Sequence, residues 1–144
     1  MLYVDTSVLL VFTLTQSIEI ERFKVTNEFF AKVISGELFA ATSFYALHEL
    51  YIFALENTPD LNTGYAFGKA ALMKVLSTPM YILPFVSRKE RTALVDKFSE
   101  LKDSTDAPHA ISAFSSGCDA IVAYDEHFRA ISHIISYMKP EDYI

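Results

Sequence analysis

The chain has 144 residues, 51% of them hydrophobic and 21% charged, with four glycines and five prolines. This composition excludes the disordered, collagen-like and disulfide-scaffold classes. It predicts one globular domain over residues 1–144, long enough to bury roughly 68–70% of its unfolded surface without metal or disulfide staples. Twelve Lys and Arg against eighteen Asp and Glu give a net charge of −6, which argues against a broad basic grip on nucleic acid.

Leu2-Tyr3-Val4 is a short apolar run ending at Asp5, and an apolar stretch through Leu14 follows Thr6-Ser7; this reads as a buried strand feeding a helix. Helical spacing of Val25, Phe29, Phe30, Val33 and Ile34 predicts a helix over 25–34, stopped at Gly36. Leu38 to Ala41 reads as a second strand. Thr42 or Ser43 then caps a helix that carries Glu49 among apolar neighbours and breaks at Asn57-Thr58-Pro59.

A further apolar helix spans Thr63 to Leu76, and Met80 to Leu83 is a third strand closed by Pro84. Helical spacing returns from Ser87 to Leu101. Thr105 or Asp106 opens a helix that runs to Gly117, Ala120 to Ala123 is a fourth strand, and Ile134-Ile135 is a candidate fifth. Short apolar strands separated by helices cannot pair as hairpins. The expectation is therefore an α/β three-layer fold, a central parallel sheet of four to five short strands with helices on both faces. In such sheets ligands bind at the carboxyl ends of the strands.

The lone cysteine, Cys118, allows no intramolecular disulfide, which points to the cytoplasm. No Lys or Arg precedes Arg22, and Asp5 interrupts the early apolar run, so no secretory signal is expected. No apolar run approaches the ~20 residues of a membrane span.

Asp5 and Asp125 follow apolar strands on the ligand-binding edge, and Glu49 and Asp106 lie on helices that begin near it. Each has a plainer reading. Asp5, Asp106 and Asp125 suit turns or helix caps, with Pro108 favouring a cap at Asp106, and Glu49 suits a solvated helix face. Brought together, four carboxylates would repel one another unless a cation intervened. Oxygen-only ligation suits Mg²⁺ or Mn²⁺, which keep waters for chemistry and can clamp a phosphodiester. Setting these four aside leaves 14 acids against 12 bases, a net −2.

Taken in order, Tyr3-Val4-Asp5-Thr6-Ser7-Val8-Leu9-Leu10, the helical Glu49, Asp106-Ala107-Pro108-His109-Ala110 and Gly117 to Phe128 resemble the signature of PIN-domain ribonucleases, and among these the VapC-like toxins. The resemblance runs nearly end to end. It implies a PIN-like sheet, endonucleolytic hydrolysis of RNA, and an acidic pocket of Asp5, Glu49, Asp106 and Asp125 binding Mg²⁺ or Mn²⁺. A supporting hydroxyl is implied at Thr6 or Ser7, and the implied partners are an antitoxin protein and a second copy of the chain. The family often places Thr or Ser two positions before its last acidic residue, where this sequence has Ala123.

His48, His109, His127 and His133 make no zinc spacing with Cys118 and no recognisable serine triad, so they are read as packing residues. The small-xxx-small pair Gly64 and Gly68 suits close helix approach. Arg22-Phe23-Lys24 and Arg88-Lys89-Glu90-Arg91 are the concentrated basic segments, read as solvated helix ends able to touch an RNA backbone. The competing functional readings are a housekeeping RNA-processing PIN nuclease and a catalytically silent PIN-like module that binds protein or RNA. A haloacid-type phosphatase is disfavoured because Ser7 stands where Asp-x-Asp requires an acid.

Overall fold

The computed structural model describes residues 1–144. Five strands, β1 (Leu2–Val4), β2 (Ala40–Ser43), β3 (Tyr81–Leu83), β4 (Ala120–Val122) and β5 (Ser136–Met138), form one sheet in the order β3-β2-β1-β4-β5. Every neighbouring pair is parallel; Tyr3 lies opposite Ala41 on one side and Ile121 on the other. The helices are α1 (Thr6–Thr13), α2 (Ile20–Ile34), α3 (Phe44–Glu56), α4 (Leu61–Leu76), α5 (Arg88–Leu94) and α6 (Ala107–Ser115). The observed α/β architecture is the one that the strand and helix alternation predicts.

The pleat divides the core. Leu2, Val4, Ala120 and Val122 pack with Val8, Phe29, Phe30 and Leu50 on the face covered by α1 to α4. Tyr3 and Ile121, one residue out of phase, pack with Phe98, Ile111, Phe128 and Ile131 on the face covered by α6 and the 3₁₀ turns. A shift of one residue in either central strand would exchange these two sets, so register here is held by burial on both faces.

Several boundaries differ from the expectation. The fifth strand lies at Ser136–Met138, two residues beyond Ile134-Ile135. Ile135 serves the core from the preceding turn, while Met138 aligns with Val122. The second strand starts at Ala40 and takes in Thr42 and Ser43, buried polar residues whose hydroxyls are bonded to Val4 O at 2.8 Å and to Tyr3 Oη at 2.6 Å. Helix α2 begins at Ile20, with Arg22 paired to Glu19 and Lys24 to Glu21 over its first turns. The stretch 87–101 is not one helix; α5 stops at Leu94 and Val95–Phe98 tightens into 3₁₀. A Cβ at Gly64 would sit 3.0 Å from Leu55 Cα, and one at Gly68 would meet the Tyr51 ring, so both glycines permit the close approach of α4 to α3.

Candidate functional site

The order β3-β2-β1-β4-β5 makes the chain leave β1 toward one edge and return to β4 on the other side of it. Adjacent strands whose connections diverge leave a crevice at their carboxyl ends, the usual ligand position in open parallel sheets. Asp5 ends β1 and Asp125 lies three residues beyond β4, so both border that crevice.

Asp5 is also the N-cap of α1. Its Oδ2 accepts from Ser7 N at 3.0 Å and from Ser7 Oγ at 2.6 Å, which satisfies orphan donors of the first turn. Ser7 Oγ in turn accepts from Tyr124 N at 3.0 Å and Asp125 N at 3.4 Å, tying the ends of β1 and β4 together. Asp5 is only 5% exposed. Burial pushes its pKa up, and the neighbouring His109 and the Ser7 hydrogen bonds offset part of that.

Glu49 lies on α3, whose first turn is capped by Ser43. His109, on α6, hydrogen-bonds Glu49 Oε1 through Nε2, while its Nδ1 lies 2.7 Å from Tyr3 Oη and 3.7 Å from Asp5 Oδ1. With Tyr3 Oη also 2.6 Å from Ser43 Oγ, a continuous chain runs Ser43, Tyr3, His109, Glu49. With the ring neutral, Nε2–H donates to the carboxylate and Nδ1 accepts from Tyr3 O–H. Burial alone would lower the His109 pKa; the bond to Glu49 and the Asp5 charge outweigh it and raise the value.

Asp106 holds the N-cap position of α6, yet its helical backbone (φ −79°) gives no side-chain cap bond. The carboxyl is therefore directed elsewhere, and Pro108 occupies the first turn where a missing N–H costs nothing. Burial, reinforced by the charges of Asp125, Asp103 and Asp5, raises Asp106 to about 6. Asp125 caps the 3₁₀ turn Glu126–Ile131 by accepting from His127 N at 2.9 Å. His127 Nδ1 stands 3.2 Å from Asp125 and 3.3 Å from Asp106.

The four carboxylates named from sequence thus meet at one edge in two groups. The inner group is Asp5 and Glu49 around buried His109; the outer group is Asp106 and Asp125 around exposed His127. Three participants were missed. Asp103, Asp106 and His127 present donor atoms within 4.8 Å of one another. His109 and His127 are therefore not mere packing residues, although His133, paired with Glu100 at 3.0 Å, stays outside the site. The signal for His109 was its place three residues after Asp106 on one helical face. Asp103 and His127 belong to loops whose approach no local pattern encodes.

Thr6 and Ser7 divide the supporting role. Ser7 is committed to Asp5 and the β4 loop, whereas Thr6 Oγ1 is buried without a hydrogen-bond partner. Thr6 lines a cavity of about 320 Å³ with Leu10, Glu49, Ile52 and Phe53. Ala123 is fully buried and carries no hydroxyl, and Ser7 bonds the 124–125 backbone in its place. The group whose atoms lie close enough to share one hard divalent cation is Asp103, Asp106 and His127; Asp5 and Asp106 are both destabilised as anions by burial.

No known protein-family profile matches the chain, and no curated protein sequence matches it. Among solved structures it is similar to VapC20 of Mycobacterium tuberculosis, described as a sarcin-ricin-loop-cleaving toxin. The TM-score is 0.68 at 19% identity, covering 91% of this chain and 95% of that one. The likeness establishes a PIN-like α/β fold. No helix is long and apolar enough to cross a membrane.

Proposed function

We propose that the chain is a Mg²⁺- or Mn²⁺-dependent endoribonuclease, the toxin of a toxin–antitoxin pair, acting in the cytoplasm. Asp5, Glu49, Asp106 and Asp125 are its metal ligands, with Thr6 and Ser7 supporting them. The observation that carries this reading is the convergence of four carboxylates from separate segments on the crevice between β1 and β4, with Asp5 and Asp106 both raised by burial. Asp5 and Asp106 are unfavourable as anions where they are buried, and a shared cation removes the conflict. The similarity of the fold to a protein described as a sarcin-ricin-loop-cleaving toxin supports RNA as the substrate class. An antitoxin protein and a second copy of the chain are the proposed partners.

A divalent ion held there would supply a bound water of lowered pKa and a clamp on the phosphodiester oxygens. Asp5 is fixed for this by Ser7, which holds its Oδ2 and leaves Oδ1 facing His109. His109 keeps Glu49 oriented, and Tyr3 and Ser43 keep His109 oriented. The outer carboxylates, the buried Asp106 and the half-exposed Asp125, complete the charge around the phosphate position.

The test is cleavage of a panel of structured RNAs with Mn²⁺ or Mg²⁺, run beside EDTA and beside an identically purified Asp5→Asn variant. Cutting that needs the metal and vanishes in the variant is expected. Equal cutting by both proteins, or inertness of a wild type that binds no metal, overturns the reading.

A further inference from the structure

A second concavity lies one turn along α6 from His109. It has a volume of about 190 Å³, and its apolar wall is formed by Leu83, Phe85 and Val86, its polar wall by Ser112, Ser115 and Glu90. Ser112 is only 3% exposed, and its hydroxyl has no hydrogen-bond partner. An unpaired buried hydroxyl on a residue that lines a cavity is rare in a folded core and calls for an explanation. Phe85, by contrast, is 59% exposed. Its ring is held by the stacked Phe44 at 5.5 Å and the Tyr45 edge at 4.9 Å.

This pocket is coupled to the acidic crevice. Tyr45 Oη accepts from Val86 N at 3.0 Å, and the Tyr45 ring meets His109 edge-on at 6.2 Å. No Lys or Arg lines the cavity and Glu90 does, so an anion is disfavoured inside it. A neutral planar group with apolar faces and N–H donors at its edge matches both walls. The volume, below the ~300–1,000 Å³ of sites for drug-sized ligands, suits a single such group. Arg88, Lys89 and Arg91 of α5 are exposed and form no ion pair, free cations on the helix whose Glu90 lines the pocket.

We propose that this pocket receives one unstacked nucleobase of the RNA that the acidic crevice cleaves, stacked on Phe85 and read by Ser112 and Glu90, with flanking phosphates on Arg88, Lys89 and Arg91. The inference rests on the nuclease reading. A carboxylate and hydroxyls prefer a base that offers an exocyclic amino group, so cytosine and adenine are favoured over uracil. Stacking gives affinity without sequence preference, and the basic strip adds a salt-dependent term.

The experiment measures anisotropy of fluorescein-labelled hexanucleotides of cytosine, adenine and uracil, in EDTA so that no cleavage occurs, with Mn²⁺-dependent cleavage assayed separately. Cytosine or adenine RNA is expected to bind about tenfold more tightly than uracil RNA. Phe85→Ala lowers affinity for all three by about tenfold. Ser112→Ala removes most of the preference while melting no lower than wild type, since it deletes an unpartnered hydroxyl. Arg88→Ala with Lys89→Ala weakens binding equally across sequences and flattens its salt dependence by about one to two units of slope.

Binding that is unselective and unchanged in Phe85→Ala and Ser112→Ala overturns the pocket while leaving the nuclease reading intact if Mn²⁺ still drives cleavage. Selective, variant-sensitive binding without any cleavage leaves the pocket standing and breaks the nuclease reading. Wild-type protein that binds no RNA overturns the pocket.

Discussion

The inner and outer halves of the acidic crevice hold the same kinds of group, carboxylates around a histidine, with the inner histidine buried and the outer one exposed. Around His109 every partner is tied to the sheet or to a helix packed on it. Tyr3 comes from β1, Ser43 from the end of β2, and the imidazole side chain is 2% exposed. Around His127 the partners come from caps and loops, and the imidazole side chain is 57% exposed. The inner half is built as core and sets position. The outer half combines the buried Asp106 with the half-exposed Asp125 and the exposed His127. A site that holds a cation and admits a long polyanion needs both, a fixed floor and an open, adjustable rim.

The largest expected contrast between the halves and the fold that carries them is functional. Asp5→Asn keeps an acceptor for Ser7 and removes the charge, so it should lower metal-dependent RNA cleavage by roughly 100-fold or more with the circular dichroism spectrum unchanged. Loss of helical signal in that variant would instead make Asp5 a structural cap first.

Stability should divide the two histidines. His109→Ala empties a buried position and strips Tyr3 and Glu49 of a partner, at a cost of about 2–4 kcal/mol. His127→Ala removes a side chain that is 57% exposed and should lie within about 0.5 kcal/mol of wild type in urea unfolding. Equal losses would erase the distinction between the buried and the exposed histidine.

Asp106 sharpens the comparison because it sits where the halves meet. Its folded pKa of about 6 exceeds the ordinary 3.8, so folding favours its protonated form. The resulting stability is fully present below pH 3.8 and is lost as pH rises through 6. Asp106→Asn removes that loss. Discounted for screening near the rim, the variant should be more stable than metal-free wild type by about 1 kcal/mol at pH 8, with the gap closing by pH 4. A gap independent of pH would place the effect elsewhere than in this carboxyl group.

The sheet and the inner carboxylate were legible because burial writes itself into local sequence. Leu2-Tyr3-Val4 and Ala120 to Val122 are short apolar runs, and an acid straight after such a run can only stand at the strand's carboxyl end. The outer half was less legible. Asp103 belongs to an exposed turn closed by Thr105, and nothing nearby in sequence announces that this turn folds against His127. Ile134-Ile135 looked more strand-like than Ser136–Met138 because apolarity marks burial rather than hydrogen-bond pairing, and Ile135 is buried from a turn. His109 was readable in principle through its spacing from Asp106, but its partners Tyr3 and Glu49 lie 106 and 60 residues away.

The central claim is that both halves close on one cation, and titration calorimetry of Mn²⁺ into metal-free protein tests it most directly. One ion per chain is predicted for wild type, with affinity falling by about tenfold or more in Asp5→Asn and in Asp106→Asn alike. Binding that survives Asp5→Asn unchanged and disappears only on loss of Asp106, Asp103 or His127 would contradict it, because the ion would then belong to the rim alone.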